Sequence, residues 1–408
     1  MRKIVVLGLV LTIFQSCKQA TEPKVLKSGI WLAQLKVLDD RILPFNFKVM
    51  EGSDGSQRLE IYNANEVITV DEISYSGDSV RIQAPVFEGY ISGLMQQDSI
   101  TGTFVIESMD RVVPFKAVHG VGERFVDVAP SDRNLSGVWE MDFEKGMDDH
   151  YKGKGVFNQD GSKVTGTIRT NTGDYRFLEG VMDGDSLKLS AFDGAHAFLF
   201  TAKATDSTLA GRFYAGTHSL ETFSAKRNVL FELPSSDSLT FLKEGYDQLN
   251  FSFPNIKNER VSLADDQFKD KVVIVQLMGT WCPNCLDETR FLVDYLKEND
   301  HKDLAVVGLA FEYAKTEEKA FAVIQRLVDK VGVEYPILLA QYGTSDKEEA
   351  QAKLPMLNHV LSYPTTIFID RKGNVRKIHT GFNGPATGKP YEEFKKEFDL
   401  LVDTLLQE

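Results

Sequence analysis

Cys282 and Cys285 stand three residues apart in Trp281-Cys282-Pro283-Asn284-Cys285, and Cys17 is the one other cysteine in a sequence of 408 residues. The pair follows directly on the apolar run Val272–Met278, so a buried strand delivers it to the element that comes next. Downstream, Cys285, Thr289, Leu292 and Leu296 recur at spacings of three and four, which predicts a helix carrying them along one face. Pro283 suits the first helical position, where its missing N–H would have no partner anyway. The first thiol then sits at the helix N-terminus and the second one turn inside. Unpaired amide N–H groups and the positive end of the helix dipole favour a thiolate at Cys282. Thiol–disulfide exchange is the chemistry this arrangement suits.

Other uses of a cysteine pair fit less well. A secreted domain stapled by structural cystines would spread several pairs along the chain. A zinc site needs about four ligands, and no second C-x-x-C or H-x3-H partner is present. Haem attachment requires histidine after the second cysteine, where Leu286 stands. Single-cysteine peroxidase chemistry stays open, although the P-x-x-x-T-x-x-C pattern is missing. No metal and no cofactor is expected.

The N-terminus reads as an export signal: Arg2 and Lys3, an apolar stretch from Ile4 to Phe14, then Gln15-Ser16-Cys17. It resembles a bacterial lipoprotein signal, with residues 1–16 removed, Cys17 lipidated, and residues 17–27 as a linker. Eleven residues rising about 1.5 Å each reach about half of a ~30 Å hydrocarbon core, so lipid is the expected anchor rather than a spanning helix. The mature protein would face the periplasm from the cell envelope. A composition of 42% hydrophobic and 26% charged residues is that of a folded globular protein and excludes disorder as the theme. A net charge of −13 argues against nucleic acid as a partner.

Before the cysteine pair lies an internal repeat. Ser28-Gly29-Ile30-Trp31 recurs 108 residues later as Ser136-Gly137-Val138-Trp139 and Phe115 as Phe223, while Gly77-Asp78-Ser79 recurs 107 residues later as Gly184-Asp185-Ser186. Short alternating runs such as Val164-Thr165-Gly166-Thr167-Ile168-Arg169, separated by glycine turns, predict antiparallel meanders. The Gly-x-Trp opening is similar to that of lipocalin- and streptavidin-type barrels. Two tandem all-β units are therefore expected, 28–130 and 131–230, as small barrels or, alternatively, sandwiches. The two tryptophans read as core, and Asp148-Asp149-His150 as a solvated turn.

From about Phe251 strands and helices alternate, which predicts an α/β domain over 246–408 and a multidomain chain overall. Several features in order carry a specific resemblance: Phe253-Pro254, the strand into Trp-Cys-Pro-Asn-Cys, Glu288 three residues after Cys285, an inserted strand–helix unit, and Tyr363-Pro364-Thr365-Thr366 before a strand ending in Ile369-Asp370. This part resembles the TlpA/ResA branch of thioredoxin-like thiol-disulfide oxidoreductases. The resemblance implies a redox-active Cys282–Cys285 disulfide, a cis bond before Pro364, and substrate contact by Trp281, Tyr363 and Pro364. It also implies protein disulfides as substrates and a membrane-embedded thiol electron donor.

Glu288 is the acid offered for proton transfer to and from Cys285, since the position six residues before Cys282, where thioredoxin has an aspartate, holds Gln276. The expected activity is protein-disulfide reduction. A dithiol oxidant or isomerase is the alternative, and a ligand- or partner-binding surface lipoprotein with a redox-sensing domain is the alternative of another class. A neutral Pro283-Asn284 dipeptide, with Asp287 and Glu288 unopposed by any cation, points to a reducing couple. The repeats are expected to place or select substrates, with all of the chemistry after residue 250. Mass spectrometry of the membrane fraction should find a lipidated Cys17 as the first residue; an unmodified Cys17 still joined to Ser16 would reject both cleavage and anchoring.

Overall fold

In the computed structural model, which describes residues 24–299 and 301–408, the repeated tryptophans fill equivalent places. Trp31 and Trp139 are buried, and each donates its indole N–H to the carbonyl four residues earlier, Lys27 at 3.0 Å and Leu135 at 2.9 Å. The preceding glycines both take a left-handed φ, 120° at Gly29 and 118° at Gly137, which a side chain would resist. His119 meets the Trp31 ring edge-on, and Arg227 lies over Trp139 at the matching register position. The proposed signal segment and Cys17 lie outside the described residues.

Among the described residues each repeat is an up-and-down meander of nine antiparallel strands, from Gly29–Lys36 to Arg111–His119 and from Gly137–Phe143 to Ser219–Arg227. First and last strands pair, which curls each sheet into a small barrel rather than a two-layer sandwich. The second barrel closes where Tyr151–Asp160 pairs with Lys163–Thr170; the first leaves Glu66–Val70 and Ile73–Ser76 as neighbouring edges. Two-residue hairpins at Gly77-Asp78 and Gly184-Asp185 both place glycine first with φ 58°, as a tight turn matched to strand twist requires. Where the first copy runs a full strand over Glu66–Val70, the second has only Gly173–Asp174. The short strand stays paired with Arg169 and Thr170 at the rim of the second barrel.

The barrels share packing. Phe192 of the second stacks on Phe45 of the first at 4.3 Å, and its backbone exchanges hydrogen bonds with the Asn63 amide. The buried Arg124 joins them again through the carbonyls of Tyr62 and Ser190.

The C-terminal part is a mixed five-stranded sheet. Its elements are the short β1 (Ser252–Pro254) and β2 (Arg260–Ser262), then β3 (Val272–Met278), α1 (Pro283–Glu298), β4 (Leu304–Phe311), α2 (Glu317–Val331), β5 (Ile337–Gln341), α3 (Lys347–Lys353), β6 (Thr365–Ile369), β7 (Val375–Thr380) and α4 (Lys389–Gln407). The order is β5-β4-β3-β6-β7, with β3, β4 and β5 parallel and β6 and β7 antiparallel. Every residue of β3 is buried, as its run of apolar residues around the single polar Gln276 requires of a central strand. Phe291 and Tyr295 of α1 pack edge-on against Phe398 of α4, at 4.8 and 4.9 Å. None of the described helices is long and apolar enough to cross a membrane. Arg326 of α2 ties this sheet to the first barrel, binding the Glu72 carboxylate and the carbonyls of Ala84 and Pro85.

Candidate active site

Cys282 is the N-cap of α1, in extended conformation, and its sulfur accepts the Cys285 N–H at 3.3 Å. That bond satisfies one of the orphan donors of the first turn with the atom best able to carry negative charge. Pro283 takes the first helical position and both cysteines are free thiols. Cys282 is 7% exposed and Cys285 is fully enclosed, so the attacking sulfur and the resolving one differ in access. Burial, and then the hydrogen bond and charge of Cys282, push the Cys285 thiol well up from its ordinary value. Cys285 therefore needs a base before it can act.

Glu288 lies one turn along the same helix and is fully buried. Its carboxylate accepts from Gln276 Nε2 at 2.8 Å and from the Thr366 hydroxyl, and Gln276 also reaches the Cys285 carbonyl at 3.3 Å. Burial pushes Glu288 up to about 7, against the pull of those two donors. Gln276 is thus the holder of the acid, a role that its position in a hydrophobic strand hides from the sequence.

Across from α1, the Tyr363–Pro364 bond is cis and the Tyr363 carbonyl lies 3.5 Å from Cys282 Sγ. Trp281 is fixed by a bond from its indole N–H to the Phe311 carbonyl at 2.9 Å and stands edge-on to Tyr313. Trp281, Tyr363, Cys282 and Cys285 are therefore brought together, with Glu288 beneath. The Asp148–His150 stretch forms a turn, where His150 meets Asp142; His359 and His379 bind Leu239 O and Asp237. All three histidines are away from the thiols.

One expectation needs correction. Asp287 is not unopposed: it is paired with the buried Arg176 of the second barrel. Arg176 also binds Glu66 of the first barrel, the Pro283 carbonyl at 3.3 Å, and lies 3.5 Å from Asp193. Burial disfavours its charge, yet the carboxylates of Asp287, Glu66, Asp193 and Asp174 hold it firmly protonated. Asp287 is therefore paired with a cation, and burial favours the protonated form of Glu288, so neither acid acts on the thiols as an unopposed charge. The case for a reducing couple then rests on the neutral Pro283-Asn284 dipeptide.

The structure also shows how far the site extends. The second barrel forms a wall of the thiol cleft, a space of about 260 Å3 lined by Gly173, Asp174, His196 and Phe198 as well as by Cys282 and Tyr363. Asn284, between the cysteines, donates to the Asp174 carbonyl at 3.1 Å. A Cβ on Gly173 would fall 2.2 Å from the Asn284 amide, so the contact demands glycine. Asp174 accepts the N–H groups of Arg176 and Gly384, and burial raises it to about 6. Ser362 donates to Thr172 O at 3.0 Å. The one sequence signal for this wall was the mismatch between the copies at Gly173–Arg176.

A family model described as the AhpC/TSA family matches residues 245–378. Among curated proteins, the Thioredoxin-like protein YneN of Bacillus subtilis is 33% identical over 140 residues, 34% of this chain and 73% of that protein. Thiol-disulfide oxidoreductase ResA of the same organism is 28% identical over 140 residues, covering 34% of this chain and 69% of its own. Among solved structures, a thiol:disulfide interchange protein of the thioredoxin family from Chlorobium tepidum TLS aligns at a TM-score of 0.30 and 22% identity, over 40% of this chain and 98% of that one.

Arg176→Met would leave several buried carboxylates without their cation. The expected loss is about 3–5 kcal/mol of unfolding free energy, read from the urea midpoint of the full chain. Lys203→Met, which breaks a solvent-exposed pair with Asp185, should leave the midpoint essentially unchanged. Equal effects would show that the Arg176 cluster does not hold the barrels to α1.

Proposed function

The chain belongs, through its C-terminal domain, to the thioredoxin-like thiol-disulfide oxidoreductases of the TlpA/ResA type, and from that premise we propose that it reduces protein disulfides in the cell envelope. The observation that carries this reading is the stacking of three groups along one helix: Cys282 at the N-cap, Cys285 enclosed a turn below, and Glu288 buried one turn further on.

The Cys282 thiolate attacks one sulfur of a substrate disulfide. A new S–S bond forms as the substrate's own breaks, and the departing substrate thiolate takes up a proton. Cys285 passes its proton to Glu288 and attacks Cys282 Sγ. The Cys282–Cys285 disulfide forms, the mixed disulfide breaks, and the second substrate thiolate leaves and is protonated. Two electrons and two protons have then passed to the substrate. A membrane-embedded dithiol donor restores them by the same exchange in reverse, with Cys17 as the lipid anchor that keeps the protein beside it. The extended segment ending at Tyr363 offers its backbone to the substrate chain, and Trp281 and Pro364 flank the attacked bond.

The potential decides between reduction and its rival, disulfide formation or isomerisation. Equilibrating the full chain in glutathione or dithiothreitol buffers should give a value nearer about −270 mV than about −120 mV. A potential above about −180 mV would favour the oxidant or isomerase reading. A Cys285→Ser variant should retain envelope proteins as mixed disulfides through Cys282.

Glu288 makes a separate pH prediction. Its folded value of about 7 lies above the ordinary 4.5, so the unfolded chain releases this proton first. Through this group the fold is most favoured below pH 4.5 and loses stability as pH rises toward about 7, while the resolving step gains its base over the same range. Glu288→Gln should remove that decline in stability and flatten the rise in turnover near pH 7, leaving the first attack by Cys282 intact. An unchanged profile would make Glu288 a structural residue only.

A further inference from the structure

Beside the thiol cleft lies a second cavity, of about 330 Å3, walled by both barrels and the redox domain. Cleft and cavity share Tyr175, His196, Phe198 and Trp281, so one partition of rings separates them. Phe87 comes from the first barrel, Phe213 from the second and Tyr313 from the redox domain. The rings already contact each other edge-on, Tyr175 on Phe198 at 5.4 Å and Trp281 on Tyr313 at 4.8 Å. Such a frame receives a further ring at favourable distances without rearrangement.

The polar groups of this cavity differ in how far they are satisfied. Glu312 accepts from the Thr280 N–H and hydroxyl, and burial raises it to about 8. Glu221 accepts from Tyr151, and Glu88 from the Ser108 N–H. His218 also lines the cavity, with its side chain open to solvent. Arg111 is the exception: among the described residues its guanidinium has no carboxylate within ion-pair distance and no side-chain hydrogen bond, although it is only partly exposed. A partly desolvated guanidinium among aromatic walls is a stacking plate for one more aromatic face.

We infer that this cavity is the subsite for an aromatic side chain of a protein substrate, close in sequence to the half-cystine that Cys282 attacks. The inference rests on the reductase reading above and supplies its substrate class. A space of roughly 300 Å3 is at the small end of ligand sites, enough for one ring and the backbone beside it and far too small for a folded module. Trp281, which lines both spaces, is the residue next to Cys282, so a ring seated here belongs to a residue near the attacked half-cystine. The barrels thereby become part of the reader of sequence around a disulfide.

The test uses the full chain, reduced, with two mixed-disulfide peptides identical except for Phe or Ala two residues from the cysteine, and with glutathione disulfide as the small substrate. The Phe peptide should show kcat/KM at least tenfold above the Ala peptide. Ser219→Trp and Ser108→Trp place a ring in the cavity from the second and first barrels, both starting from half-buried positions. Each should abolish the Phe preference while reduction of glutathione disulfide, which needs only the cleft, continues and reports an intact fold. Arg111→Met should lower the preference severalfold. Equal kcat/KM for the two wild-type peptides with normal glutathione reduction, or a Phe preference that survives both tryptophan variants, overturns the subsite and leaves the reductase reading standing. Failure to reduce any of the three substrates overturns both.

Discussion

Arg176 is the constraint on which the arrangement of the three parts depends. A buried guanidinium surrounded by carboxylates from the first barrel, the second barrel and α1 is expensive to desolvate, and an apolar cluster of the same volume would often be at least as stable. What the ion cluster supplies is register. Glu66, Asp193 and Asp287 must all converge on one planar fork, and its donors also reach the Pro283 carbonyl at the start of the catalytic helix. A sliding apolar contact would tolerate displacements that this geometry does not. The helix end that carries Cys282 is therefore located by the second barrel as well as by its own sheet.

Within that frame the thiols are separated by environment rather than by sequence distance. Cys282 has the helix N-terminus and the edge of a cleft; Cys285 has enclosure and a neighbouring carboxyl. The same burial that raises Cys285 also raises Glu288, so the proton donor and acceptor move in the same direction and proton transfer between them stays feasible near neutral pH. Gln276 makes this possible by satisfying the carboxylate without charging the pocket, since a cation there would have lowered Glu288 and removed its capacity to hold a proton.

The parts of this structure written in local patterns were legible in the sequence. Strand alternation, the glycine turns, the repeat spacing, the buried strand, the proline at the first helical position and Glu288 one turn from Cys285 all depend on residues within a few positions of one another. The cis-proline segment came through family resemblance rather than through periodicity. Arg176 was illegible for a physical reason: its partners Glu66 and Asp287 lie 110 and 111 residues away in opposite directions, and nothing local distinguishes it from an arginine on a solvated turn. The Asp287 environment was consequently read with the wrong sign. The same limit hid Asn284, whose neutral amide looked like a passive spacer and in fact binds the Asp174 carbonyl.

Duplication explains how a β-barrel came to share a redox site without carrying any redox chemistry. The two copies keep the same tryptophan, the same positive-φ glycine before it and the same hairpin turns, so the barrel itself is maintained in both. They differ where the first copy has the full strand Glu66–Val70 and the second a two-residue remnant at Gly173–Asp174. The first copy can leave this strand at an open sheet edge because its barrel is held through the pairing of first and last strands. The second adds a closing pairing, Tyr151–Asp160 with Lys163–Thr170, and keeps only the two residues Gly173–Asp174 beside Arg169 and Thr170. This segment meets Asn284 and Asp287, while Glu66 of the first copy comes from the corresponding hairpin and meets Arg176. Neighbouring segments of the two copies thus supply the two sides of a clamp, and the redox helix is what the clamp holds.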